Sequence, residues 1–140
     1  MSKLTSVDLF SGIGGLSLSL KEKFKTILYC EINKDAILVL ENNMRKDFIH
    51  KAPIHNDITN LDFLTIQSLT GKKHIDLVCG GFPCTGFSSA GLRKGFSNSA
   101  SFLFFEMSRI IDFLNPSFIF FENVPAWDLF QCLFHLLPPI

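Results

Sequence analysis

Short apolar runs alternate along this chain with longer segments whose apolar residues recur at helical spacing. Residues 6–10 read as a strand, and 15–23 as a helix carrying Leu16, Leu18 and Leu20. A second strand, 26–30, ends at Glu31. Residues 34–43 form a helix with Ile37, Leu38, Leu40 and Met44 as apolar contacts. A short strand at 53–55 precedes Asn56-Asp57, and 63–69 is a weaker helix. Residues 74–79 are a strand. The best-patterned helix is 101–114, where Leu103, Met107, Ile110, Ile111 and Leu114 share one face, and Asn115-Pro116 stops it. Residues 118–121 are the last strand. Strand–helix alternation with nearly continuous apolar strands predicts an α/β fold built on a parallel, doubly wound sheet.

Composition narrows the class. With 140 residues, 47% of them hydrophobic and 19% charged, the chain fits one domain with a real core. The net charge of zero means that no global basic field advertises nucleic acid, although a local patch suffices for binding. The cysteines are Cys30, Cys79, Cys84 and Cys132. None form a CxxC pair and no His follows at zinc spacing, so no metal is expected. Cys30 and Cys79 lie inside apolar strands and read as small core residues. This cysteine usage fits a reduced, intracellular setting. The amino terminus carries no apolar signal segment, and no run reaches the roughly 18 apolar residues of a membrane span.

Chemistry concentrates where strands end. Cys84 sits in Gly80-Gly81-Phe82-Pro83-Cys84-Thr85-Gly86-Phe87-Ser88, just past a buried strand, where open α/β sheets carry their sites. A thiol there is a candidate nucleophile. A carboxylate, Glu122, ends the last strand and opens Glu122-Asn123-Val124. The first turn, Phe10-Ser11-Gly12-Ile13-Gly14-Gly15-Leu16, has the strand–glycine–helix setting of a nucleotide-type cofactor loop. It departs from GxGxxG, because Ser17 stands where the third glycine would be; a merely tight turn fits it too. Glu31 ends the second strand 19 residues after Gly12, near the spacing of a ribose-binding acid. A solvated residue or a helix cap before Asn33 is the alternative. Asp57 is placed either to accept from an adenine amino group or to cap the following turn.

Taken together, these segments resemble the catalytic domain of a DNA cytosine-5 methyltransferase. Asp8-Leu9-Phe10-Ser11-Gly12-Ile13-Gly14-Gly15, Glu31-Ile32-Asn33, Asn56-Asp57-Ile58, Gly80-Gly81-Phe82-Pro83-Cys84, Gly86-Phe87-Ser88 and Glu122-Asn123-Val124 occur in the family's order. The resemblance implies a Rossmann-like methyltransferase fold with S-adenosyl-L-methionine as cofactor and DNA as partner. It implies that Phe10, Ser11, Gly12, Gly14, Gly15, Leu16, Glu31 and Ile32 hold the methionine and ribose parts, and that Asp57 and Ile58 flank the adenine. It makes Cys84 the nucleophile and Glu122 the acid. Pro83, Ser88, Asn123 and Val124 then stand beside the target base.

The departures shape the remaining expectations. Thr85 follows the nucleophile where the family often has Gln, and the acidic–arginine pair common before the next helix is absent from 97–101. Ser88, Ser89 and Arg93 are placed for phosphate contacts, while Arg93 and Lys94 equally suit a solvated loop. Past Glu122-Asn123-Val124 nothing resembles the family's later motifs or its recognition domain. The reading is therefore a partial catalytic domain, residues 1–125, and an apolar tail, 126–140. The sheet is expected to be incomplete on its C-terminal side, and a complementing fragment is a candidate partner. A non-catalytic remnant, the cofactor-binding half of a split enzyme, and an RNA cytosine-5 methyltransferase are the alternatives.

Overall fold

The computed structural model describes residues 2–81 and 99–122, with the backbone alone for 99–101. Five strands form one parallel sheet: β1 (Leu4–Leu9), β2 (Phe24–Cys30), β3 (Ile54–His55), β4 (Leu77–Gly80) and β5 (Phe118–Phe121). Their order across the sheet is β3-β2-β1-β4-β5. The helices are α1 (Gly15–Leu20), α2 (Lys34–Arg45), α3 (Phe63–Thr70) and α4 (Ser99–Leu114), with a single 3-10 turn at Ile58–Asn60. The doubly wound α/β architecture expected from the alternating pattern is the one observed.

Strand alternation sorts side chains onto two faces. Val7, Leu9, Leu28, Cys30 and Val78 pack with Ile66 of α3 and Met107, Ile110 and Leu114 of α4. On the other face Tyr29 meets Leu40 and Met44 of α2, with Ile49. The pairing of β1 with β2 shifts by one residue: Ser6 faces Thr26, yet Val7 faces Leu28. Ile27 is the extra residue. The shift lets Thr26 and Tyr29, an odd number of residues apart, share the face of Ser6 and Asp8.

That shared face holds a small buried polar cluster under α1. Ser17 donates to Asp8 Oδ2 at 2.5 Å and lies 2.9 Å from Thr26 Oγ1, which accepts from Ser6 Oγ at 3.2 Å. The residue in place of the third glycine thus ties α1 to the sheet by hydrogen bonds. Asp8 is fully buried, and burial pushes its carboxyl up to about 6, against the pull of the Ser17 hydrogen bonds.

Several boundaries differ from expectation. β1 stops at Leu9, because Phe10 turns into the left-handed region with φ 54°. α1 ends at Leu20 rather than Lys23, since β2 already pairs with β1 from Phe24, opposite Leu4. β4 begins at Leu77, not His74. Just before it, the Asp76 carboxylate accepts from Thr5 N (2.7 Å) and Thr5 Oγ1 (2.8 Å), so on the β1 side a side chain takes the place of ladder bonds. Cys30 and Cys79 are core residues, and burial raises the Cys30 thiol to about 12. Among the described residues β5 is an edge strand, with Phe118 and Phe120 exposed on one face. Among them no helix is long and apolar enough to cross a membrane, and no cluster of His, Cys, Asp and Glu suits a metal ion.

Candidate functional site

After β1 the chain moves to β2 on one side, while β4 lies against β1 on the other. Parallel sheets open a crevice at such a point, beyond the carboxyl ends of the strands. The glycine turn after β1 and Gly81 after β4 both arrive there.

The turn is held from several sides. Ser11 Oγ donates to Asp8 O at 2.6 Å, and Cys30 N donates to Ser11 Oγ at 3.2 Å. Ser11 therefore staples the ends of β1 and β2 with a buried hydroxyl. Gly14 has φ 90°, and a Cβ there would lie 2.8 Å from Ile49 Cδ1 and 2.9 Å from Leu40 Cδ1. The left-handed backbone is what favours glycine here, and a side chain would also have to push aside the ends of Ile49 and Leu40. Gly80 plays the matching part at the end of β4, where a Cβ would come within 2.4 Å of Leu9 O.

Glu31 is the lock between the turn and β2. Its Oε2 accepts from Gly12 N and its Oε1 from Asn33 N, each at 2.7 Å. The cap of α2 is Asn33, whose Oδ1 accepts from Asp35 N and Ala36 N. Each Glu31 oxygen keeps a lone pair beyond these bonds, so the carboxylate can accept from a ligand hydroxyl as well. Asp57 does cap the 3-10 turn: Oδ1 accepts from Thr59 N (2.9 Å) and Thr59 Oγ1 (2.8 Å). Those bonds, the backbone one first, hold its carboxyl below the usual range. They use Oδ1 alone, and Oδ2 is not engaged by the turn.

Phe10, Glu31, Ile32, Asp57 and Ile58 come together, lining one cleft of about 220 Å³ with Cys30, Asn56, Gly81 and Leu103. Leu103 of α4 was legible only as a core position; its place in the cleft follows from the packing of α4. Gly15 and Leu16 line a second cleft of about 510 Å³ with Ser19, Phe120, Phe121 and Glu122. Gly81, which lines the first cleft, and Glu122, which lines the second, lie side by side. Glu122 N donates to Gly80 O at 3.1 Å, and Glu122 Oε2 lies 3.7 Å from where a Gly81 Cβ would stand. Gly12 and Gly14 shape the turn rather than line either cleft. Cys84, Pro83, Ser88, Asn123 and Val124 lie outside the described residues.

The cleft's lining fits a nucleoside-bearing cofactor: four apolar residues, Phe10, Ile32, Ile58 and Leu103, are joined by two carboxylate acceptors, Glu31 and Asp57. The left-handed Phe10 backbone is strain kept at a residue that lines the cleft.

The fold and site define the class of S-adenosylmethionine-dependent methyltransferases. A solved structure of a DNA modification methyltransferase encoded within an E. coli prophage superposes with a TM-score of 0.76 at 29% identity, covering 96% of this chain and 38% of that one. An S-adenosylmethionine-dependent methyltransferase from Clostridium acetobutylicum shares the fold at a TM-score of 0.55 and 17% identity, covering 95% of this chain and 48% of that one. Residues 4–128 match the C-5 cytosine-specific DNA methylase family, and the chain belongs to that family. Among its relatives, the type II methyltransferase M1.ScrFI of Lactococcus lactis subsp. cremoris is 38% identical over 125 residues, 88% of this chain and 29% of that protein. M.PspPI of Psychrobacter sp. (strain TA137) is 41% identical over 119 residues, 84% of this chain and 26% of that protein. The chain thus spans less than a third of the length of these two relatives.

Proposed function

We propose that this chain carries the cofactor site, nucleophile and acid of an enzyme that methylates carbon 5 of cytosine in DNA. The observation that carries the reading is the meeting of Glu122 with Gly80-Gly81, the segment that leads directly to Cys84.

In this reading Phe10, Ile32, Ile58 and Leu103 enclose the adenine, Asp57 accepts from its amino group, and Glu31 accepts from the ribose hydroxyls. The cleft's 220 Å³ lies below the roughly 300 Å³ of a typical whole-ligand site, so it takes the nucleoside end. The cleft at Gly15 and Leu16 takes the amino-acid end.

Carbon 5 of cytosine is a poor nucleophile. The Cys84 thiolate adds to carbon 6, forming a C–S bond as ring electrons move toward nitrogen 3. The Glu122 carboxyl meets that nitrogen and stabilises the developing charge with its proton. Carbon 5 becomes enamine-like. S-adenosylmethionine, when bound, would supply the electrophilic methyl group that carbon 5 takes up, the S–CH3 bond breaking with its electron pair left on the cofactor's sulfur. A base then removes the proton from carbon 5, the ring electrons return, and the C–S bond breaks to release the Cys84 thiolate. Pro83 fixes the backbone ahead of the thiol, and Ser88, Asn123 and Val124 contact the substrate. The target base must leave the stack for this chemistry. Groups that hold the opened duplex belong to a recognition module, whether in a longer chain or in a complementing fragment.

Calorimetric titration of S-adenosylmethionine into the wild type and Glu31→Ala tests the cofactor half. Losing the ribose contacts and the Gly12 lock together is expected to weaken binding at least about tenfold. Equal affinity in both proteins removes Glu31 from the site.

A further inference from the structure

We propose that Arg109 is a positioning residue for the adenine subsite, holding the turn that presents Asp57 and Ile58 although it lies outside the cleft. The inference rests on the reading above that those two residues flank the adenine.

The turn is weak on its own. It is one 3-10 turn, Ile58–Asn60, closed by backbone bonds of 3.4 Å (Asn60 N to Asp57 O) and 3.2 Å (Leu61 N to Ile58 O). So short an element does not fix its own geometry. The Asp57–Thr59 cap and the 2.6 Å contact of His55 Nε2 with Asn60 Oδ1 tie the turn to itself and to β3, and Arg109, from α4, ties it to the helix beside the cleft. Its Nη2 donates to Ile58 O at 2.9 Å and its Nη1 to Leu61 O at 3.0 Å. One guanidinium thus spans the turn from its first residue to its cap.

The guanidinium is itself held. Glu106 Oε2 accepts from Nε at 3.0 Å and from Nη2 at 2.7 Å, and the Phe113 ring lies 5.7 Å from Cζ. Glu106, Arg109 and Phe113 are spaced by three and four residues, so one face of α4 carries the whole device. The planar fork is what reaches both carbonyls while keeping Glu106; a lysine ammonium has neither the shape nor the donors for it. The same helix gives Leu103 to the cleft. α4 therefore controls the adenine subsite twice, by a lining side chain and by the placement of the turn.

Two ligands separate positioning from mere stabilisation: S-adenosylhomocysteine, and S-inosylhomocysteine, which lacks the exocyclic amine that Asp57 reads. Calorimetry on the full chain gives the ratio of their affinities. The wild type is expected to prefer the adenosyl ligand by about tenfold or more, the range of a hydrogen bond to a charged group. Arg109→Lys and Glu106→Gln are expected to shrink that ratio below about threefold through loss of adenosyl affinity alone. A role confined to stability would weaken both ligands alike and leave the ratio unchanged. An unchanged ratio in folded Arg109→Lys overturns the proposal. Should that variant not fold, an unchanged ratio in Glu106→Gln overturns it equally. Asp57→Asn is the separate control: if wild type and Asp57→Asn show the same ratio, it is the adenine reading that fails.

Discussion

Replacing Asp8 with Asn is expected to change how the stability of this protein depends on pH. The Asp8 side chain is fully buried beneath α1, where Oδ2 accepts from Ser17 and Oδ1 has no hydrogen-bond partner among the described residues. Burial raises its carboxyl from 3.8 to about 6, outweighing the Ser17 hydrogen bonds that favour the charged form. A rise of about two units corresponds to about 3 kcal/mol at 1.36 kcal/mol per unit. Because the folded state holds the proton more tightly than the unfolded state, the neutral carboxyl's contribution is complete below pH 3.8 and disappears as the pH climbs to about 6. Above that, the folded protein carries the whole penalty of a buried charge. Asn keeps the shape and never ionises. Urea unfolding in a pH series from about 4 to about 7.5 should therefore show the variant gaining about 3 kcal/mol relative to the wild type across the series. Asp57, Asp62 and Asp76, all shifted down by hydrogen bonds to threonines, lose stabilisation as the pH falls, equally in both proteins. Their effect cancels in the difference. A gap between the two curves that stays constant with pH would refute the assignment of a raised carboxyl to Asp8.

Two further expectations concern the glycine turn. Ser17→Gly, which restores the missing third glycine, should lower stability by about 2 kcal/mol in denaturant melts, since it strips Asp8 of its hydroxyl partner; a neutral result would mean that the hydroxyl carries no weight there. Gly14→Ala should cost about 1–2 kcal/mol, chiefly left-handed backbone strain, with the ends of Leu40 and Ile49 displaced. Retention of full stability by that variant would show that the turn can shift away from α2.

The fold was legible because its central strands, β1, β2 and β4, carry buried apolar runs and its longest helix is strongly patterned. Residues 118–121 and the end of α4 at Leu114 fall where the apolar pattern and Asn115-Pro116 put them. Local spacing also brought out Glu31, whose bond to Gly12 spans the 19 residues counted along the chain. What stayed hidden depends on tertiary geometry. Phe10 reads as one more apolar strand residue, and nothing local signals its left-handed φ. Ser17 reads as a lost glycine until its partner, Asp8, is seen across the α1–sheet interface. Arg109 reaches carbonyls 48 and 51 positions away, a separation at which helical periodicity is silent.

Covalent trapping on duplex DNA with 5-fluorocytosine at the target base tests the central claim most directly, because the fluorine at carbon 5 blocks the final elimination and leaves the protein attached. With S-adenosylmethionine present, the 140-residue chain, neutral overall and with few cations in the loop after Cys84, is expected to form no adduct alone. Supplied with a complementing recognition fragment, it is expected to form an adduct that depends on Cys84 and is weakened by Glu122→Gln. Robust trapping by the chain alone would contradict the need for a recognition module, and an adduct that survives Cys84→Ala would contradict the nucleophile.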